Sequence, residues 1–309
     1  METVLKLNNI SKNFGKQKAL NNVSMNIRKG DIYGLIGRNG AGKTTLLKSI
    51  VTLSNPTSGT IQLFGSQNDK EYLEELKRTG SVIETPVAYD QLTAEENLKY
   101  YCKLRGIIDK NVVSQALKFV DLENTKNKKF KNFSLGMKQK LGLAIALLSK
   151  PDFLILDEPI NGLDPIAIVE FREVLIKLNK EHGITILISS HILNELYQVA
   201  NRFGIINEGN LIKELSKGEF EDITKQFIHI QVDSTQNACV VLKRLNISNF
   251  KVVSDNEINI YDTDLDQSIL NGELAKSEIK VFSIYKEGMD IEEYFKALIS
   301  GNQKGGKLC

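Results

Sequence analysis

Residues Gly37-Arg38-Asn39-Gly40-Ala41-Gly42-Lys43-Thr44 fit the pattern G-x-x-x-x-G-K-[ST]. Glycines at these places let backbone N–H groups turn inward around a polyphosphate, and a helix starting at Lys43 adds its own free N–H groups and dipole. Lys43 can reach the outer phosphates, Thr45 lies beside them, and the Thr44 hydroxyl can hold Mg²⁺. Two carboxylates, Asp157 and Glu158, end the apolar run FLILD. At such a strand end Asp157 would face the metal, and Glu158 would orient or deprotonate an attacking water. His191 directly follows a second apolar run, ITILISS, and should emerge at the same sheet edge. Ser134-Leu135-Gly136-Met137 opens a further helix with Ser134 as N-cap, a second anion-binding helix start. With one phosphate loop already in the chain, that second start is best used on the nucleotide of a neighbouring copy.

The elements that must hold these groups can be read from periodicity. DIYGLIG is a buried strand, the glycine loop follows, and TTLLKSIVTL is a helix with Leu46, Leu47, Ile50 and Leu53 as its apolar positions. Before them, alternation at Leu5, Leu7 and at Val23, Met25, Ile27 predicts paired edge strands, with turn-rich stretches at Asn8 to Gln17 and Asn21 to Asn22. From Leu92 to Leu148 the pattern is helical, and FLILD, PIAIVEFREVLIKLNKE and ITILISS then form a βαβ unit with buried parallel strands. After about Ser216 strands and helices alternate as βαββαβ plus one helix, the split βαβ or ferredoxin-like order. The expected class is α/β with a helical insertion at about 88–150. Domains are expected at 1–216 and 217–300, with a frayed tail at 301–309.

Composition excludes several alternatives. Forty Lys and Arg against 38 Asp and Glu leave a formal charge of +2, so no general field exists to hold a nucleic acid. Cys102, Cys239 and Cys309 form no CxxC pair, which suits a reducing cytosol and neither a disulfide framework nor a zinc site. The longest apolar stretch, around Leu143 to Leu148, is far short of the roughly 20 residues that cross a bilayer. Cys309 is expected to be an exposed thiol. His182 and His229 read as surface or packing residues.

Taken together, the loop 37–44, NFSLGMKQK, FLILDEP, NGLDP and SSHIL resemble, in order and spacing, the nucleotide-binding subunit of ATP-binding cassette transporters over roughly Val4 to Leu215. The resemblance implies ATP and Mg²⁺ as ligands, with the fold of a phosphate-loop ATPase. It implies that Phe14 stacks on adenine, that Asp164 belongs to a loop bridging two copies, and that His191 senses the γ-phosphate. It further implies a homodimer with two ATP at its interface, separate transmembrane permease subunits, and a place on the inner face of the cell membrane.

Two departures narrow the resemblance. Where LSGGQ is common, Phe133-Ser134-Leu135-Gly136-Met137-Lys138-Gln139 keeps only Ser134 and the second glycine, with Leu135 and Met137 in place of the usual residues, and the glutamine usual after the strand near Gly80 is replaced by Glu84. Both variants, with the C-terminal extension, resemble the bacitracin-resistance and lantibiotic-immunity type of exporter. In that setting Glu84 would stand beside the metal and serve coupling more than chemistry. Two other readings stay open: a soluble non-transport cassette ATPase, and an ATP-dependent sensor whose C-terminal domain binds a ligand. If Glu84 serves coupling, Glu84→Gln keeps much of its ATPase activity in a phosphate-release assay. Abolished turnover with intact nucleotide binding would make Glu84 catalytic.

Overall fold

Alternating apolar residues draw the start of the chain into a hairpin of β1 (Thr3–Phe14) and β2 (Gln17–Arg28), burying Leu5, Leu7, Ile10, Val23, Met25 and Ile27. The stretches expected to be turn-rich are mostly strand, because bulges absorb the polar residues. Asn9 and Asn22 take left-handed backbone, and the Ser11 hydroxyl bonds to both the side chain and the N–H of Asn22. Only Gly15 and Lys16 are left for the turn.

This computed structural model describes residues 2–67, 69–109, 111–288 and 290–300. The expected frayed tail at 301–309 and the Cys309 thiol lie outside the described residues. The chain divides into two compact units, Met1–Lys217 and Gly218–Cys309.

In the first unit β3 (Ile32–Ile36) leads through the glycine loop into α1 (Lys43–Ile50), and β4 (Ser58–Leu63) returns to pair with β1. Next come α2 (Asp69–Leu76) and β5 (Thr79–Val82), followed by three helices, α3 (Ala94–Leu104), α4 (Val112–Phe119) and α5 (Leu135–Leu147). Then follow β6 (Phe153–Asp157), α6 (Pro165–His182), β7 (Thr185–Ser190), α7 (Leu193–Tyr197), β8 (Arg202–Asn207) and β9 (Asn210–Ser216).

The larger sheet has the order β5-β6-β7-β3-β8-β9, parallel except for β9. Every residue of β3, β6 and β7 is buried, as strands covered on both faces require. Register then fixes the site, because Ile36 pairs with Ser190 and Asp157 with Ser189. The glycine loop, the two carboxylates and His191 therefore leave the sheet at one edge.

Helix α5 is buried over almost its whole circumference from Gln139 to Leu147. Gly142 on it lets Pro86 pack directly on the helix, since a Cβ there would stand 2.6 Å from Pro86 Cβ.

From α8 (Lys217–Thr224) the chain runs through β10 (Phe227–Val232), α9 (Thr235–Arg244), β11 (Phe250–Ser254), β12 (Glu257–Ile260), α10 (Gln267–Lys276), β13 (Val281–Glu287) and α11 (Ile291–Ser300). Its sheet is wholly antiparallel, in the order β11-β12-β10-β13. Ile228, Ile230, Val232, Leu242, Ile258, Ile260 and Leu274 form a core of its own.

The close approach at Gly142 makes a test of the helical layer. Gly142→Ala should cost about 1–3 kcal/mol by overpacking against Pro86, read as a lower urea midpoint; an unchanged midpoint would mean that the 86 loop moves freely.

Candidate nucleotide site

The phosphate loop is held in shape by contacts that leave no room for side chains. A Cβ on Gly37 would lie 2.5 Å from the Ile206 carbonyl oxygen, and one on Gly42, whose φ is +105°, would lie 2.7 Å from that of Ala19. Gly42 is the N-cap of α1 and supplies no side-chain cap, so the first N–H groups of the helix face the loop's concave side. Lys43 is 5% exposed. Its ammonium donates to the carbonyls of Gly37 at 2.6 Å and Arg38 at 3.2 Å, and stands 3.0 Å from Glu158 Oε1. Thr44 Oγ1 donates to Asp157 Oδ2 at 2.7 Å. These two oxygens are hard donors of the kind that hold a divalent cation.

Ser189 ties the two carboxylate residues together. Its hydroxyl donates to Asp157 Oδ1 at 2.6 Å and accepts the Glu158 N–H at 2.9 Å. Glu158 has φ +48°, a left-handed backbone that turns the chain sharply after β6. Its Oε2 lies 2.7 Å from His191 Nδ1, while Oε1 is buried without a hydrogen bond. The carboxylate is thus held between an ammonium at Oε1 and an imidazole at Oε2, an arrangement that suits a group exchanging a proton with water.

Lys43, Thr44 and Glu158 border a cleft of about 580 Å³ whose walls also include Phe14, Asn39, Gly40, Gly42 and Thr45, while Asp157 and His191 stand behind it. Phe14 stands at its rim, 54% exposed, with the Lys12 ammonium 5.1 Å from its ring centroid. Glu208 and Gly209, in the turn between β8 and β9, also line it, and the Gly209 N–H donates to the Ala41 carbonyl. The sequence reading passed over these two and Ser189. An Glu-Gly turn after the apolar GII run, and the serine pair before His191, were the available signals.

Ser134, Leu135, Gly136, Met137 and Asp164 are not among the cleft's lining residues. Ser134 caps α5 by accepting the Met137 N–H, and Asp164 caps α6 by accepting those of Ile166 and Ala167. Leu135 is 43% exposed at the helix start and packs toward Gly162, and Gly136 packs against Ala167. The two caps thus form one surface, apart from the phosphate loop of their own chain. Glu84, expected beside the metal, has a lysine as its partner in this structure. Its carboxylate is engaged by the Lys48 ammonium on α1, and no hydrogen bond joins it to Thr44 or Asp157 among the described residues. His182 packs edge-on against Phe119 and His229 bonds to Asn259.

A glycine loop opening a helix, with Asp157 and Glu158 at the same edge of a largely parallel sheet, is the arrangement of a phosphate-loop ATPase. The family profile described as ABC transporter matches residues 20–161. The bacitracin transport ATP-binding protein BcrA of Bacillus licheniformis is 42% identical over 307 residues, 99% of this chain and 100% of its own. The lantibiotic transport ATP-binding protein SrtF of Streptococcus pyogenes is 44% identical over 224 residues, 72% of this chain and 96% of its own. Among solved structures, the ATP-binding cassette MJ0796, in a dimeric post-hydrolysis state bound to ADP and Pi, is 28% identical with a TM-score of 0.61. That likeness covers 69% of this chain and 98% of the cassette. The chain belongs to the ATP-binding subunits of ABC transporters, and it binds and hydrolyses ATP.

Two substitutions separate binding from chemistry. Lys43→Ala removes the charge facing the phosphates and should lose most nucleotide affinity in a fluorescent-nucleotide titration. Glu158→Gln should keep that affinity and lose about 100-fold or more in phosphate release; ordinary turnover would take the general-base role away from Glu158.

Proposed function

We propose that two copies of this chain close on two ATP molecules and drive separate transmembrane permease subunits that export a peptide antibiotic, giving immunity or resistance. The observation that carries this reading is the likeness to the bacitracin transport protein over both units of the chain. The surface formed by Ser134, Leu135, Gly136, Met137 and Asp164 supports the pairing, since it stands apart from its own cleft and is free to complete the ATP site of a second copy. Phe14 offers its exposed ring to the adenine, and Arg38, Asn39 and Ala41 contribute loop backbone to the phosphates.

Thr44 and Asp157 would hold Mg²⁺. No group of three or more His, Cys, Asp or Glu able to hold a metal occurs among the described residues. The remaining ligands would therefore come from phosphate and water, the usual manner for this ion. When bound, Mg²⁺ supplies charge compensation to the phosphate oxygens. Lys43 exchanges its loop carbonyls for the outer phosphates. Glu158 takes the proton of the attacking water, and His191 holds the Glu158 carboxylate at its Oε2.

Energy from closure needs a recipient, and no helix among the described residues is long and apolar enough to cross a membrane. Val87, Tyr89, Leu104 and Ile108 expose apolar side chains on the helical layer and the loop before it, a surface suited to a permease. The subunit would thus sit peripherally on the cytoplasmic face of the membrane. For residues 217–300 the sheet order and the βαββαβ sequence of elements support the ferredoxin-like reading. Residues 1–216 would then be the ATPase domain and 88–150 its helical insertion.

Expression together with a permease partner should raise the tolerated concentration of bacitracin or a lantibiotic, and Glu158→Gln should abolish the gain. Equal protection by Glu158→Gln would replace export with peptide sequestration or signalling.

A further inference from the structure

Glu84 stands at a junction. It follows β5 in a left-handed conformation, φ +64°, and opens the loop that runs to α3. Beyond it the loop is fastened to the helical layer: Pro86 lies on Gly142, the Val87 carbonyl accepts from the Tyr101 hydroxyl at 2.8 Å, and the Tyr89 N–H donates to the fully buried Asn97 at 2.7 Å. Before it, Ile83 packs on the core that includes Leu46, Leu47 and Ile50 of α1. Between these anchors the Glu84 carboxylate reaches Lys48, four residues after Thr44 and so one helical turn along the same face.

The pair is exposed, with Lys48 at 34% and Glu84 at 63%, and such pairs are weak enough to be exchanged. Thr44, one turn away, is where a divalent cation would begin to be held. With a cation held at Thr44, the carboxylate would have a second cationic partner one turn from Lys48 and could not serve both fully. An amide at position 84 would carry no charge for Lys48 to hold.

We propose that Lys48 is a positioning residue that latches the Glu84 loop to the phosphate-loop helix through an exchangeable ion pair, and competes with the nucleotide's metal for Glu84. The latch itself rests on the geometry alone; only the competition rests on Mg²⁺ as the metal. Full-length parent, Lys48→Gln, Glu84→Gln and the double variant would be compared by amide hydrogen exchange of residues 83–88 without nucleotide. Each single change should speed exchange about two- to five-fold, the scale open to an exposed pair, and the double variant should go no further. Additive effects or unchanged exchange would overturn the latch. For the competition, the Mg²⁺ concentration giving half-maximal binding of a fluorescent ATP analogue should fall about two- to five-fold in Lys48→Gln, with no such fall in the Glu84→Gln background. An unchanged Mg²⁺ requirement, or the same fall in both backgrounds, would overturn the competition. A parent that bound no analogue would sink the ATP reading instead, and the exchange comparison would still decide the latch.

Discussion

One hydroxyl holds the chemistry in register. Ser189 gives its proton to Asp157 and takes the N–H of Glu158, so a residue of β7 sets the positions of the two carboxylate residues at the end of β6. The neighbouring Ser190 accepts the Gly37 N–H through its carbonyl, which ties the start of the phosphate loop to the same strand. His191 follows immediately. Three sheet strands are thus keyed to one strand end, and a one-residue slip would exchange the two packed faces of a fully buried strand and separate Asp157 from Ser189.

The central strands were legible because they are short, wholly apolar runs bounded by glycine or by carboxylates. Their burial on both faces leaves little choice between helix and strand at that length. The first hairpin was only half legible, since Asn9, Ser11 and Asn22 look like turn residues and instead sit in bulges, a distinction made by the partner strand. Phosphate loop, Asp157 and Glu158 could be read because each is local in sequence. Ser189 could not, since its role depends on a register, and the Lys48 partner of Glu84 lies 36 residues away along the chain.

Charge placement divides the site into two kinds of contact. Lys43, Thr44, Asp157, Glu158 and His191 contact one another within one copy, so the groups proposed to act on nucleotide are largely pre-organised before it arrives. Ser134 and Asp164 are equally settled, but as helix caps facing elsewhere. A single copy is chemically furnished and still presents its second anion-binding helix start outward, which makes assembly a condition for using that start on nucleotide.

The left-handed backbone of Glu158 has a bearing on inheritance. A non-glycine residue held there stores on the order of 1 kcal/mol of strain, so the backbone tolerates this glutamate rather than preferring it. Glycine at this point would relieve the strain while removing the carboxylate. The relief is set against the loss of the Glu158 contacts with the buried Lys43 ammonium and with His191, so copies that still fold would be present without turnover. In the proposed pair they would occupy places beside active copies and poison them, so this position is expected to yield dominant rather than recessive defects.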